Sequence, residues 1–374
     1  MTSKVYFASA AAYEKKENNL LNRIERLYES VGFSGSLKPM ELVALKTHFG
    51  EGGTTRYLRP LFVSKLVECI ARSGARPFVT DSSTFYVDKR HNAYEHLRTA
   101  MRHGFYPPAI DAPLIIADGL IGADHVEHKV KGKHFERVRV ASAISQANAI
   151  VVATHFKGHI ITGFGGSLKN IGLGCSCRPA KLSIHGARAK ISERCTRCGA
   201  CITRCHVQAI RPQGEGQRPK VDIDTCDSCG ECTLACYSDA IDPDWKSGSL
   251  YTKEETEERM VEYAAGALDR KEGKAVFFNF VLDVTPECDC VPWADLPIVP
   301  DVGIVASRDP VAVDQASVDL VNRQQGLKDS LLKSAHEPGA DKFRALNGVD
   351  WGVQLRHAET IGLGSRSYEL VEVS

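Results

Sequence analysis

The sequence carries no surplus of charge of either sign: 47 Lys and Arg stand against 46 Asp and Glu in 374 residues. Nucleic-acid and anionic-lipid binding rest on a clustered basic excess, so neither is expected. No tract of 18 apolar residues occurs, so no membrane span is expected either. Residues 1–10 lack a charged stretch followed by an apolar core of sufficient length, which argues against a signal peptide and for a cytoplasmic location. What remains is an ordinary globular composition, 43% hydrophobic and 25% charged. The length suits two or three domains.

Cysteine is abundant. There are thirteen, an odd count without an export signal, which disfavours a disulfide framework. Cys69 stands alone on an apolar helical face and reads as core. Four cysteines form two Cys-x-Cys pairs, Cys175 with Cys177 and Cys288 with Cys290. Either pair alone is compatible with buried cysteine acting as a small hydrophobe; if the pairs meet, four thiolates make a third metal site or a dithiol centre. The other eight crowd between positions 195 and 236 and repeat: Cys195, Cys198, Cys201 and Cys205 recur 31 residues later as Cys226, Cys229, Cys232 and Cys236. Ala209-Ile210 recurs as Ala240-Ile241 at the same offset. A small unit has been duplicated.

On either side of this insert the chain alternates β-rich runs with amphipathic segments. Strands are expected at Lys4–Ala8, Glu41–Lys46, Arg76–Thr80, Pro113–Ala117, Ala149–Thr154, Ala275–Val281 and Gly303–Ala306, with an edge strand at Tyr368–Val373. Helices are expected at Asn19–Val31, Pro60–Ser73, Ala93–Arg102, Ala141–Ala147, Glu254–Leu268 and from about Asp309 to Asn322. Such alternation argues an α/β fold with a mostly parallel sheet. The expected organisation is a host domain in two parts, residues 1–188 and 245–374, interrupted by a small α+β cysteine-rich domain at 189–244.

Each half of the insert reads Cys-x2-Cys-x2-Cys-x3-Cys, which resembles the two-cluster bacterial ferredoxins. In those proteins the fourth cysteine of each run binds the other cluster. The resemblance implies one [4Fe–4S] cluster on Cys195, Cys198, Cys201 and Cys236, and a second on Cys226, Cys229, Cys232 and Cys205. His206 and Tyr237 stand where a proline usually follows the fourth cysteine, a departure that leaves the ligands intact. Zinc is the competing metal, although paired zinc sites are rarely built from triple-spaced thiolates.

The host carries a second dense segment, His155 to Gly174, directly after a strand. Gly163, Gly165 and Gly166 would let the backbone approach a ligand, and amides at a helix start favour phosphate. The full dinucleotide fingerprint is absent, and a plain strand-to-helix turn is the competing reading. His48 and Asp81 follow strand ends and are candidate cofactor-binding residues, since α/β ligands sit at the carboxyl ends of strands.

Two further resemblances rest on these residues. The motifs Lys46-Thr47-His48-Phe49-Gly50-Glu51, Leu58-Arg59-Pro60, Asp81-Ser82-Ser83-Thr84, His155 to Gly174, Cys288-Asp289-Cys290, Asp301-Val302-Gly303 and Asp309-Pro310-Val311-Ala312-Val313-Asp314 resemble the domain of unknown function 362 family. That family is described as uncharacterised iron–sulfur proteins and implies no reaction. Within it, His159, Lys169 and His185 fall at offsets of 10 and 16 around a glycine-rich turn. This is similar to the cofactor-binding stretch of nickel-pincer lactate racemases. The similarity implies Lys169 as an anchoring lysine and His159 and His185 as metal-ligand or acid–base groups. A desolvated Lys169 is expected to have a lowered pKa.

The functional expectation is an iron–sulfur electron-transfer protein, ferredoxin-like, serving a redox partner protein or a site on its own host domain. The rival is a cluster-fed oxidoreductase or isomerase acting on a small molecule, with a nucleotide-like cofactor or a further metal around Lys169.

Overall fold

The computed structural model describes residues 2–374. Its host is an eight-stranded sheet made of β1 (Ser3–Ser9), β2 (Leu42–Lys46), β3 (Arg76–Asp81), β4 (Leu114–Ile116), β5 (Ala149–His155), β6 (Ala275–Val281), β7 (Gly303–Ser307) and β8 (Tyr368–Glu372). The order across the sheet is β8-β1-β7-β6-β5-β2-β3-β4. β7 runs antiparallel to both neighbours and every other adjacent pair is parallel.

The central strands are apolar on both faces because both faces are covered. Val43, Leu45, Val151, Phe278 and Phe280 enter one core, shared with the helices Leu20–Val31 and Pro60–Ala71. Ala44, Ile150, Val152 and Phe277 enter the other, shared with the helices Lys253–Leu268 and Pro310–Asn322. Local sequence sets the helix starts. Asn19 accepts a hydrogen bond from the Asn22 amide, Asp309 from the Val311 and Ala312 amides, and Thr252 with Glu255 forms a capping box. No described helix is long and apolar enough to cross a membrane.

Two hairpins escaped the sequence pattern. His125–Lys129 pairs with Arg137–Ala141, and Lys157–His159 with Gly163–Gly165. The cysteine-rich segment leaves the host through a stem in which Ala189–Ile191 runs antiparallel to Ile241–Pro243.

Candidate functional site

The strands β2, β3 and β5 end at one edge of the sheet, and a cavity of about 100 Å³ opens there. Lys46, the last residue of β2, ion-pairs with Asp81 at the end of β3 at 3.0 Å and donates to Asn170 Oδ1 at 2.6 Å. The second Asp81 oxygen faces Arg90 at 3.7 Å and His96 at 3.6 Å. Burial opposes ionisation of Asp81, but Lys46 and His96 hold it well below the usual carboxylate range. Arg90 also bonds Glu51 at 3.0 Å and Tyr86 Oη at 2.8 Å.

His159, Lys169 and His185 line this same cavity. His159 Nδ1 accepts from the Thr162 amide at 3.1 Å, so the proton of the neutral ring sits on Nε2. Burial, with Lys169 and His185 nearby, pushes its pKa well below the usual histidine value. The ring therefore offers an N–H donor. His185 ends the Arg178–His185 helix, stacks on Phe85 at 4.8 Å, and meets Trp245 edge-on at 6.0 Å. Its buried Nδ1 has no partner, and burial pulls its pKa down to about 3. Lys181, on the same helix, is held by Ser82 Oγ at 2.8 Å and the Ser83 carbonyl at 2.6 Å; burial lowers it to about 8. His48 lines the cavity too, neutral through burial.

The third wall carries sulfur. Lys169 Nζ donates to Cys288 Sγ at 3.4 Å, and Cys288 Sγ donates to Asp289 Oδ1 at 3.4 Å. The neighbouring Cys290, with Lys169 and Lys157 adding to the effect, holds the Cys288 thiol below its usual value against the cost of burial. Asp289 between them pairs with Lys157 at 2.9 Å.

In the insert, Cys195, Cys198 and Cys201 of the first run line a small cavity with Cys236 of the second, and Cys205 is absent from it. Burial raises the Cys232 thiol, with Cys229 and Cys226 of its own run and Cys201 and Cys205 of the other adding to the effect. The insert leans on the host beside the cavity, in part on the helix that carries Lys181 and His185. Arg139 bonds Glu231 at 2.7 Å and the Cys229 carbonyl at 3.1 Å. Asp242 accepts from the Val87 amide at 2.7 Å, and a Cβ on Gly230 would strike the backbone of Pro179.

The model of the family described as Domain of unknown function (DUF362) matches residues 43–319. The chain belongs to this family. Its thirteen cysteines are compatible with iron–sulfur binding. Among solved structures, the lactate racemase apoprotein from Thermoanaerobacterium thermosaccharolyticum is similar at 10% identity and a TM-score of 0.38. The match covers 76% of this chain and 51% of that one, so the chain spans about half the length of that structure. No curated protein matches the sequence.

Four expectations need correction in this DUF362 chain. Gly163 is not part of the cavity: it turns the Lys157–His159 hairpin with φ +73 and packs against Trp351, leaving Gly165 and Gly166 at the wall. The Ser167–Gly172 helix start offers no phosphate seat, because Asp314 already accepts from the Ser167 amide at 2.7 Å and the Leu168 amide at 2.9 Å. Lys169 is raised rather than lowered; burial pulls it down, but the Cys288, Cys290 and Asp289 side chains outweigh this. The pairs Cys175/Cys177 and Cys288/Cys290 do not share an ion. Bonds of about 2.3 Å would put all four sulfurs within about 4.6 Å of one another, and among the described residues the group meeting such a criterion is instead His206, Asp227 and Cys229 at the insert surface. Sequence reasoning also passed over Lys157, Lys181 and Arg90 as site residues. For Lys181 the available signal was a charged residue on a largely apolar helix; Arg90, within Asp88-Lys89-Arg90-His91, gave none.

Proposed function

We propose that the chain is an iron–sulfur electron-transfer protein with two [4Fe–4S] clusters, one on Cys195, Cys198, Cys201 and Cys236, the other on Cys226, Cys229, Cys232 and Cys205. The observation that carries this reading is the crossed grouping. The first three cysteines of one run enclose a cavity with the last of the other run, as two-cluster ferredoxins require. When bound, such clusters supply one-electron transfer. The residues around them hold them in place: the Ala209 amide points at Cys205 Sγ and the Ala240 amide at Cys236 Sγ, each at 3.2 Å, giving the thiolates donors that favour the reduced charge.

The electrons serve the host cavity or a redox partner protein. Contact of the insert with the helix carrying Lys181 and His185 favours the cavity, and with it a second reading as a cluster-fed oxidoreductase. In that reading the cavity binds a small molecule, with His159 Nε2–H donating to an acceptor atom. A nucleotide-like cofactor does not fit the helix start that Asp314 already caps. Iron and acid-labile sulfide in anaerobically prepared protein test the proposal.

A further inference from the structure

The electron-transfer reading leaves two Cys-x-Cys pairs without a role, and one of them meets the cavity: Cys290 lines it, and Cys288 contacts the cavity residue Lys169. The loop carrying Cys288 and Cys290 is clamped on both sides. The Gly158 amide donates to the Thr285 carbonyl at 2.8 Å and the Glu51 amide to the Asp289 carbonyl at 2.8 Å. Tyr86 Oη donates to the Cys290 carbonyl at 2.9 Å. A Cβ on Gly53, at φ +111, or on Gly158 would strike the carbonyls of Pro292 and Pro286, so the loop is approached as closely as backbone allows. The loop is thus held in place, with the two cysteines one residue apart along it. Asp289 pairs with Lys157 at 2.9 Å and accepts from Cys288 Sγ at 3.4 Å, and Lys169 Nζ reaches the same sulfur at 3.4 Å. The other buried cysteines of the host differ: burial pushes Cys69, Cys175 and Cys177 each up to about 11, the condition of an inert thiol.

We propose that Cys288 and Cys290 form a redox-active dithiol–disulfide couple in the host cavity, with Lys169 as the cation that stabilises its thiolate and a small-molecule disulfide as its substrate class. The thiolate attacks one sulfur of the substrate, forming a mixed disulfide, and the first substrate thiolate leaves with a proton. The second cysteine, losing its proton, attacks the mixed disulfide, closes the Cys288–Cys290 bond and releases the second substrate thiol. The pair has lost two electrons and the substrate has gained them. Two electrons and two protons restore the dithiol. Taking these electrons from reduced iron–sulfur clusters rests on the reading given under Proposed function; the couple itself does not.

The test is a redox titration of the intact protein in mixtures of reduced and oxidised dithiothreitol. The samples are acid-quenched, unfolded, alkylated and examined by peptide mass spectrometry. The peptide holding Cys288 and Cys290 should pass in a single two-electron transition from doubly alkylated to unalkylated disulfide, while Cys175 and Cys177 stay alkylated. With hydroxyethyl disulfide as probe, Cys290→Ser should trap half of the probe on Cys288. Both thiols alkylated at every poise would overturn the couple, and absence of the trapped adduct would overturn the substrate class. Iron and sulfide measured on the same samples keep the readings apart. A working couple in iron-free protein sinks the cluster reading alone, and loaded clusters with a redox-inert pair sink this one alone.

Discussion

Lys169→Met should move the ionisation of the cavity thiols upward by about two pH units. The ammonium lies 3.4 Å from Cys288 Sγ in a buried wall. At that distance and an effective dielectric constant of about 20, its attraction for a thiolate is about 5 kcal/mol. Since one pKa unit corresponds to about 1.4 kcal/mol, this is an upper bound of roughly three and a half units. Lys157 remains, the neighbouring Cys290 is the larger cause of the lowered value, and water entering the emptied space screens the remainder. About two units is the reasonable remainder, moving Cys288 toward the ordinary thiol range. The assay is the rate of iodoacetamide alkylation of Cys288 and Cys290 in native, reduced protein across pH, read by mass spectrometry. A midpoint within half a unit of the parent protein would refute the reasoning.

Glu257 is buried with one oxygen unpartnered, and burial pushes its carboxyl up from 4.5 to about 8. Between those values the unfolded chain releases this proton and the folded chain keeps it, so this group makes stability fall as pH rises through the window. Glu257→Gln should therefore be more stable than the parent at pH 8, by a few kcal/mol, with little difference near pH 4; equal denaturation midpoints at pH 8 would contradict it. Gly230→Ala and Gly199→Ala make a matched pair, with φ +79 and +77 at equivalent points of the repeat. Both pay about 1 kcal/mol of backbone strain, but only the Gly230 Cβ meets host backbone, at Pro179. The Gly230 variant should lose clearly more thermal stability, and equal losses would show that the insert does not press on the Arg178–His185 helix.

The strands and helices of the host were legible because their burial pattern is repetitive: Val43 to Lys46 and Ala149 to Thr154 read as apolar runs for a sheet covered on both faces. The hairpins were not, since Lys157–His159 and Gly163–Gly165 are short, glycine-rich and held by the fold rather than by propensity. Spacing brought His159, Lys169 and His185 into view because three chemistry-bearing residues lie close in sequence. It could not show that Asp314, 147 residues beyond Ser167, caps the helix start, nor that Lys169 meets Cys288, 119 residues away. Those contacts reverse two inferences, the phosphate seat and the lowered lysine, because each depends on a long-range partner. Lys46 and Lys181 escaped for a simpler reason: an isolated lysine in an apolar segment reads as surface until the strands place it at their shared edge.

The most direct test of the account is the metal content of anaerobically prepared protein, measured for the parent chain and for Cys236→Ser. The account predicts about eight iron and eight sulfide per chain, two clusters of four, and no stoichiometric zinc. In Cys236→Ser it predicts damage to the cluster on Cys195, Cys198 and Cys201, with the Cys226 cluster retained. Stoichiometric zinc in place of iron, or loss confined to the Cys226, Cys229 and Cys232 set, would contradict it.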